Sequence, residues 1–370
     1  MKSVIQIFCV GLLIYLMCFH STAQAEIKIG IAGPLSGNSI NAGEQQEIGA
    51  LKAIEDLNEQ GGLLGEEIVP ISIDDACDAR RAKAVAQQLV SEGVILVIGH
   101  VCSGCSLAAS KIYEEAGIIM ISPASSNPKV TDEGGPNVFR VFGRDDQQGT
   151  VAGDYLANHF GNKNIAILHD GDAYGKGLAE ITKRQLNRRG VTEVLFKQYA
   201  ANQHDYLKII DKLVEKEADV IYIGGYEADV GIILRQAKNV RPNIRLFSGD
   251  GLMAPGFLLY AGDAGAGSYF TSGPDMRINP EAADVVDGIR YDHTFEPEGY
   301  TLYSYAAVQA WAQAVQQARS LDQKAVIKAL QEGSFNTVLG TISFDDKGDV
   351  TGISSFVVYV YDEEGYTIAD

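Results

Sequence analysis

Positive charge is in short supply in this chain. Thirty Lys and Arg stand against 48 Asp and Glu, a formal net charge of −18. Nucleic acid and anionic membrane surfaces need clustered cations, so neither is an expected partner. Cysteine is sparse too, at five residues, and the six histidines show no ligand spacing, which leaves zinc without a site. After residue 25 no apolar run approaches the ~20 residues a membrane span needs. Low-complexity linkers and short internal repeats are missing. So are the P-loop G-x-x-x-x-G-K-[ST], the G-x-S-x-G elbow and H-E-x-x-H. The expectation is a protein without catalysis, metal or cofactor.

What is present begins with an export signal. Lys2 precedes an apolar run from Val4 to Phe19, and Ala23-Gln24-Ala25 supplies a small-x-small cleavage pattern. Residues 1–25 therefore read as a signal peptide cleaved after Ala25. An uncleaved anchor fits less well, because the run is only marginally long enough to span. Lipidation at Cys18 would follow Met17, a poor small residue. Residues 26–370 keep 29 basic and 48 acidic side chains, a net charge of −19. That length exceeds a usual single core, so two lobes are expected.

Beyond the signal only Cys77, Cys102 and Cys105 remain. An oxidising compartment favours one disulfide with one thiol left over. Cys77–Cys102 would close a loop of about 25 residues, worth ~3 kcal/mol in the chain-entropy model. Cys102-Ser103-Gly104-Cys105 is formally a redox C-x-x-C, and stands as the rival reading.

Short apolar runs alternate with amphipathic stretches. The runs Ile27–Ala32, Ile68–Ile73, Val94–Ile98, Ile118–Ile121, Ile165–Leu168 and Val220–Ile223 are too continuous for half-exposed strands. They read as strands buried on both faces of a parallel sheet. Ala50, Ala53, Ile54 and Leu57 follow helical spacing, stopped by Gly61-Gly62, and Val308, Trp311, Ala312 and Val315 repeat it. The fold class is α/β, with two doubly wound parallel-sheet lobes. Punctuation near residues 144, 272 and 351 divides the chain into 26–144 with 273–351, and 145–272 with 352–370. Three crossings make a three-segment hinge.

Ligands on open parallel sheets bind beyond the carboxyl ends of strands, at helix N-termini. Those positions carry Val101-Cys102-Ser103 and Pro123-Ala124-Ser125-Ser126 in the first half. In the second half they carry Asp170 to Gly175, Gly224-Gly225-Tyr226 and Gly249-Asp250-Gly251. Such a division suits a zwitterion. Ser103 and Ser126, with backbone N–H groups, would hold a carboxylate. Asp250 would pair with an ammonium, and Tyr174 and Tyr226 would cover the apolar part. Each residue also has a plainer role, as N-cap, core tyrosine or turn aspartate.

At these residues the chain resembles the periplasmic Leu/Ile/Val-binding proteins, receptors of ABC transporters with the Venus-flytrap fold. The resemblance rests on Gly33-Pro34-Leu35-Ser36-Gly37, Asp74-Asp75-Ala76-Cys77-Asp78, Ile98 to Ser103, Ile121 to Ala124 and His169-Asp170. Tyr174-Gly175, Gly224-Gly225-Tyr226, Ser304 to Ala307 and Phe344 to Asp349 extend it. It implies that Ser103, Ser125 and Ser126 belong to the carboxylate site and that the Ala124 carbonyl accepts from the ligand amine. It also implies that Tyr174 and Tyr226 close over the ligand and that Asp250 pairs with the α-ammonium. Ala42, Val101 and Tyr300 would border the side-chain pocket, and Cys77 and Cys102 would form the family's disulfide. The implied protein is a periplasmic monomer that captures an amino acid and delivers it to a membrane ABC permease.

Three positions depart from that pattern. Ala42 stands where an aromatic residue is common, Asp250 is a methylene shorter than the usual glutamate, and Tyr300 adds a hydroxyl where phenylalanine is common. A larger, more polar or aromatic amino acid, an amide or GABA thus competes with the branched-chain ligands. A ligand-sensing domain and an amide hydrolase using Cys105 or Ser103 with His100 are the rival classes.

Overall fold

The computed structural model describes residues 26–253, 256–293, 295–353, 356–363 and 365–369. The expected signal segment and its cleavage site at Ala25 lie outside them. The first continuous Val/Ile runs form β1 (Glu26–Gly33), β2 (Glu67–Asp74), β3 (Leu96–Gly99), β4 (Ile119–Ser122) and β5 (Val138–Arg140). These make an all-parallel sheet in the order β2-β1-β3-β4-β5. Every residue of β3 and β4 is buried, as continuous apolar strands require. The run expected from Val94 becomes a strand at Leu96, one residue after Ile95 donates its N–H to the Lys28 carbonyl of β1.

A second sheet contains β6 (Ile165–His169), β7 (Leu195–Gln198), β8 (Val220–Gly224), β9 (Arg245–Ser248) and β10 (Tyr269–Ser272). Its order is β15-β14-β10-β9-β8-β6-β7, ending in the antiparallel strands β14 (Val357–Tyr361) and β15 (Tyr366–Ile368). Between β10 and β14 in sequence, β11 (Phe335–Thr337), β12 (Gly340–Phe344) and β13 (Val350–Thr351) pair as a small antiparallel sheet. That sheet was not expected from the apolar runs, because its strands are short and partly exposed.

Period-two alternation sends neighbouring residues to opposite layers. In the first sheet Leu96, Ile98, Ile119 and Ile121 face the helices Ile40–Glu59 and Thr301–Ala318, while Val97 and Met120 face Ala79–Glu92 and Ser103–Ala116. In the second, Ile165, Ile167 and Tyr222 face the helices Asp145–Phe160 and Ala173–Arg188. Ala166, Leu168 and Ile221 face Leu207–Glu215 and Glu227–Val240. Each fully buried Ile, Leu or Val contributes about 1.5–3 kcal/mol against exposure. The fold is doubly wound α/β.

A buried ion pair fastens the segments that pass between the sheets. Arg140, at the end of β5, is fully buried and donates to the carbonyls of Ser125 and Asn127, each at 2.9 Å. Its guanidinium also pairs with Asp349. Asp349 accepts from Thr131 Oγ1 at 2.9 Å and from Arg144 Nη1 at 2.6 Å. Residues 140–144 and residue 349 are thereby tied to the loop that carries Ser125 and Ser126.

Candidate functional site

Both sheets reverse their winding, between β1 and β3 in the first and between β6 and β8 in the second. Loops diverge at such a reversal and leave a crevice beyond the strands' carboxyl ends. The two crevices share one small cavity. Ala42, Val101, Ser103, Ala124 and Ser126 line it from the first sheet's loops. Tyr174, Tyr226, Glu227, Asp250 and Gly251 line it from the second, with Tyr300 completing the wall.

Local chemistry explains each position. Cys77 and Cys102 form a disulfide with their Cα atoms 5.6 Å apart. Cys102 has extended backbone at the N-cap of the helix Ser103–Ala116, and Ser103 is that helix's first residue. The first N–H groups of a helix lack intrahelical partners, which makes this end attractive to an anion. Ser103 Oγ accepts from the Asn127 N–H at 3.2 Å, leaving its own proton to donate. Ser126 Oγ has no hydrogen-bond partner among the described residues. Ser125 sits beside it but points elsewhere. Its Oγ donates toward the carbonyls of His100 and Val101, each at 2.9 Å, and lies 2.8 Å from Ser106 Oγ.

Tyr174 is the second residue of the helix after β6, where Asp172 caps the end by accepting the Tyr174 N–H at 3.3 Å. Gly175 lets that helix touch β8: a Cβ on Gly224 would stand 2.0 Å from the Gly175 carbonyl oxygen. The close approach sets Tyr174 against Tyr226, with ring centroids 5.2 Å apart. Tyr226 Oη has no partner among the described residues.

Asp250 opens a short 3₁₀ turn after β9 and is 2 % exposed. Tyr174 Oη and Gln148 Nε2 each donate to its Oδ1 at 2.9 Å, and Tyr300 Oη donates to Oδ2 at 2.8 Å. Burial pushes its pKa up while these three bonds hold it down. Asp145 is fully buried nearby, its pKa raised well above the carboxylate range by burial and then by the Asp250 charge. Asp250 and Glu227 give the cavity wall two carboxyl groups and no Lys, Arg or His, which makes it receptive to positive charge.

Reading the sequence missed Glu227, Gln148 and Asp145. Glu227 follows Tyr226 at the helix start, and its signal was an acidic residue immediately beyond a strand end already singled out. There it passes for an ordinary helix-dipole partner.

The hydrolase alternative lacks its geometry. His100 is fully buried, with Nδ1 2.6 Å from Asp75 Oδ2 and Nε2 3.2 Å from Tyr113 Oη. Cys105 is a free, buried thiol whose pKa is driven up by burial, so little thiolate forms. The C-x-x-C reading falls with it, because Cys102 is bonded to Cys77. Among the described residues, no group of three or more His, Cys, Asp or Glu could hold a metal ion, and no helix is long and apolar enough to cross a membrane.

Residues 26–365 match the sequence model of the periplasmic binding protein family. A Leu/Ile/Val-binding protein homologue of Brucella suis is 42% identical over 348 residues, covering 94% of this chain and 93% of its own. An amino acid binding protein of Pseudomonas aeruginosa is 41% identical over 352 residues, covering 94% of each chain. Among solved structures, a leucine binding protein of Thermotoga maritima superposes with a TM-score of 0.84 at 25% identity, over 93% of this chain and 98% of that one.

Proposed function

The chain belongs to the periplasmic binding protein family, and on that premise we propose that it captures a small amino acid in the cavity between its two sheets and hands it to a membrane ABC permease. Its relatives are binding proteins rather than enzymes. The segments 26–144 with 273–351, and 145–272 with 352–370, act as two lobes on a three-segment hinge, working in the periplasm after removal of residues 1–25. Ser103, Ser126 and the N–H groups around them hold the ligand carboxylate, the Ala124 carbonyl and Asp250 take the ammonium, and Tyr174 and Tyr226 cover it.

One observation carries this reading: three buried polar atoms without partners among the described residues, Ser126 Oγ, Tyr226 Oη and Glu227 Oε1, belong to residues that line a single cavity. Unpaired buried polar groups cost about 1–3 kcal/mol each, so a ligand that satisfies them gains that amount back. Contacts from one unit to the other support a closing motion. Asn127 Nδ2 donates to the Ala173 carbonyl at 2.6 Å, and Asn38 Nδ2 to Asn202 Oδ1 at 2.9 Å. A ligand favours that closed arrangement only through contacts absent when the lobes part.

The test is a thermal-shift screen of refolded, ligand-free protein against amino acids, GABA, small amides and simple carboxylates. At ~1,000-fold above Kd a true ligand stabilises by ~4 kcal/mol. Flat melting curves for every α-amino acid reject the reading.

A further inference from the structure

Glu227 is the second carboxyl group of the cavity wall, and no Lys, Arg or His lines that wall. It is 1% exposed, and its Oε1 has no hydrogen-bond partner among the described residues. The Asn41 side chain hydrogen-bonds to the carboxyl group from the helix Ile40–Glu59. Burial raises the Glu227 pKa to about 8, opposed first by its own backbone N–H and then by the Asn41 side chain, so the acid holds its proton near neutral pH until an ammonium partner draws it back to the carboxylate. A Cβ on Gly256 would stand 2.1 Å from Asn41 Nδ2 and 3.4 Å from Glu227 Cγ, so these residues form one packed corner. Ala42, the next residue after Asn41, lines the cavity with only a methyl group.

The ammonium position proposed above is supplied separately by Asp250, whose two oxygens are held by Gln148, Tyr174 and Tyr300. A simple aliphatic amino acid would use the serines and Asp250 and leave Glu227 Oε1 unpaired. Leaving a buried acceptor unsatisfied costs roughly tenfold to a hundredfold in affinity. A ligand with a donor at that end removes the penalty, and discrimination by a polar site against an analogue lacking the polar group is steep.

We propose that Glu227 reads the ligand's side chain, and that the cavity selects a small α-amino acid whose side chain ends in a hydrogen-bond donor, an amine foremost, over an aliphatic one. This rests on the amino-acid reading of the cavity and names its substrate class. Ala42 leaves the room beside Glu227 that such a side chain occupies.

The test compares near-isosteric ligands by calorimetry on refolded, ligand-free protein: norvaline and leucine, homoserine and glutamine, 2,4-diaminobutyrate and ornithine. Donor-bearing ligands are expected to bind at least tenfold tighter than norvaline and leucine, with the diamino acids foremost. Glu227→Gln removes the advantage of the amines while keeping that of homoserine and glutamine. Glu227→Leu reverses the order in favour of leucine. If Glu227 serves only the helix end, both variants shift melting temperature and leave the ranking unchanged, which overturns the proposal. Tightest binding of leucine or norvaline by the unaltered protein also overturns it while leaving the amino-acid reading intact. Binding of no α-amino acid removes both. The ranking in the unaltered protein decides the matter even where Glu227→Leu fails to fold.

Discussion

Tyr300 Oη donates to Asp250 Oδ2 at 2.8 Å, and Tyr300 is also packed edge-on against Phe142 with ring centroids 5.4 Å apart. The hydroxyl that looked superfluous in an apolar pocket is therefore part of the acid's mounting. A short aspartate reaches less far than a glutamate, and three donors hold it in place. Tyr300→Phe removes a hydrogen bond to a charged acceptor, worth about 1.5–3 kcal/mol. Amino acid affinity should fall about tenfold or more in calorimetry, while binding of a carboxylate lacking the amine changes little. Equal losses for both would separate Tyr300 from the ammonium site.

Asp250→Ala removes the proposed ammonium partner itself. The expected loss for α-amino acids is at least a hundredfold, since a buried charge left unpaired costs about 3–5 kcal/mol. Deaminated analogues should be affected far less. A uniform decrease across both ligand classes would mean that the substitution only disturbs the cavity.

The Cys77–Cys102 bridge holds the start of the Ser103 helix. Replacing both cysteines by serine should lower unfolding free energy by about 3 kcal/mol, from the loop it closes. Carboxylate affinity should fall as well, because the N–H groups around Ser103 lose their brace. A denaturation midpoint identical to that of the unaltered chain would count against this role.

Stability should fall as pH rises from about 5 to 8 in the ligand-free protein. Burial raises Asp170 from 3.8 to about 7 and Glu227 from 4.5 to about 8, and Asp145 and Asp250 shift in the same direction. An acid with a raised folded pKa binds its proton more tightly in the folded state. Its contribution is complete below the unfolded pKa and is lost as pH climbs to the folded one, at up to about 1.4 kcal/mol per pH unit for each group. Melting curves across this range, repeated with Glu227→Gln, should show a shallower slope in the variant. A melting temperature that rises between pH 5 and 8 would contradict the assignment.

Asp349→Ala should cost about 3–5 kcal/mol, because it strands the buried Arg140 guanidinium. Pairing it with Arg140→Met should recover much of the loss. Chemical denaturation of the single and double variants measures this directly, and equal destabilisation in both would show that packing, not the unpaired charge, dominates.

Much of the scaffold was legible from residue order alone. A strand buried on both faces needs a continuous apolar run, so β3, β4, β6 and β8 announced themselves. The segments beyond them carry Ser103, Ser126, Tyr174, Tyr226 and Asp250, which the fold gathers around one cavity. The small sheet β11-β12-β13 did not announce itself, since short, partly exposed strands leave no periodic signature. Direction was equally hidden: Ser125 and Ser126 are chemically identical neighbours, yet one points at the His100–Val101 segment and the other lines the cavity. Only the packing of Arg140 and the His100 segment against that loop decides between them.

Local pattern, in short range, determined which segments become strands and helices, because burial and backbone pairing follow period and composition. Tertiary structure alone decided which polar groups end up paired. Asp250 gathers donors from residues 102 and 50 positions away, whereas Glu227, at a helix start that looked ordinary, keeps an oxygen without a partner among the described residues. Desolvation is a property of the assembled surroundings, and no single stretch of sequence contains it.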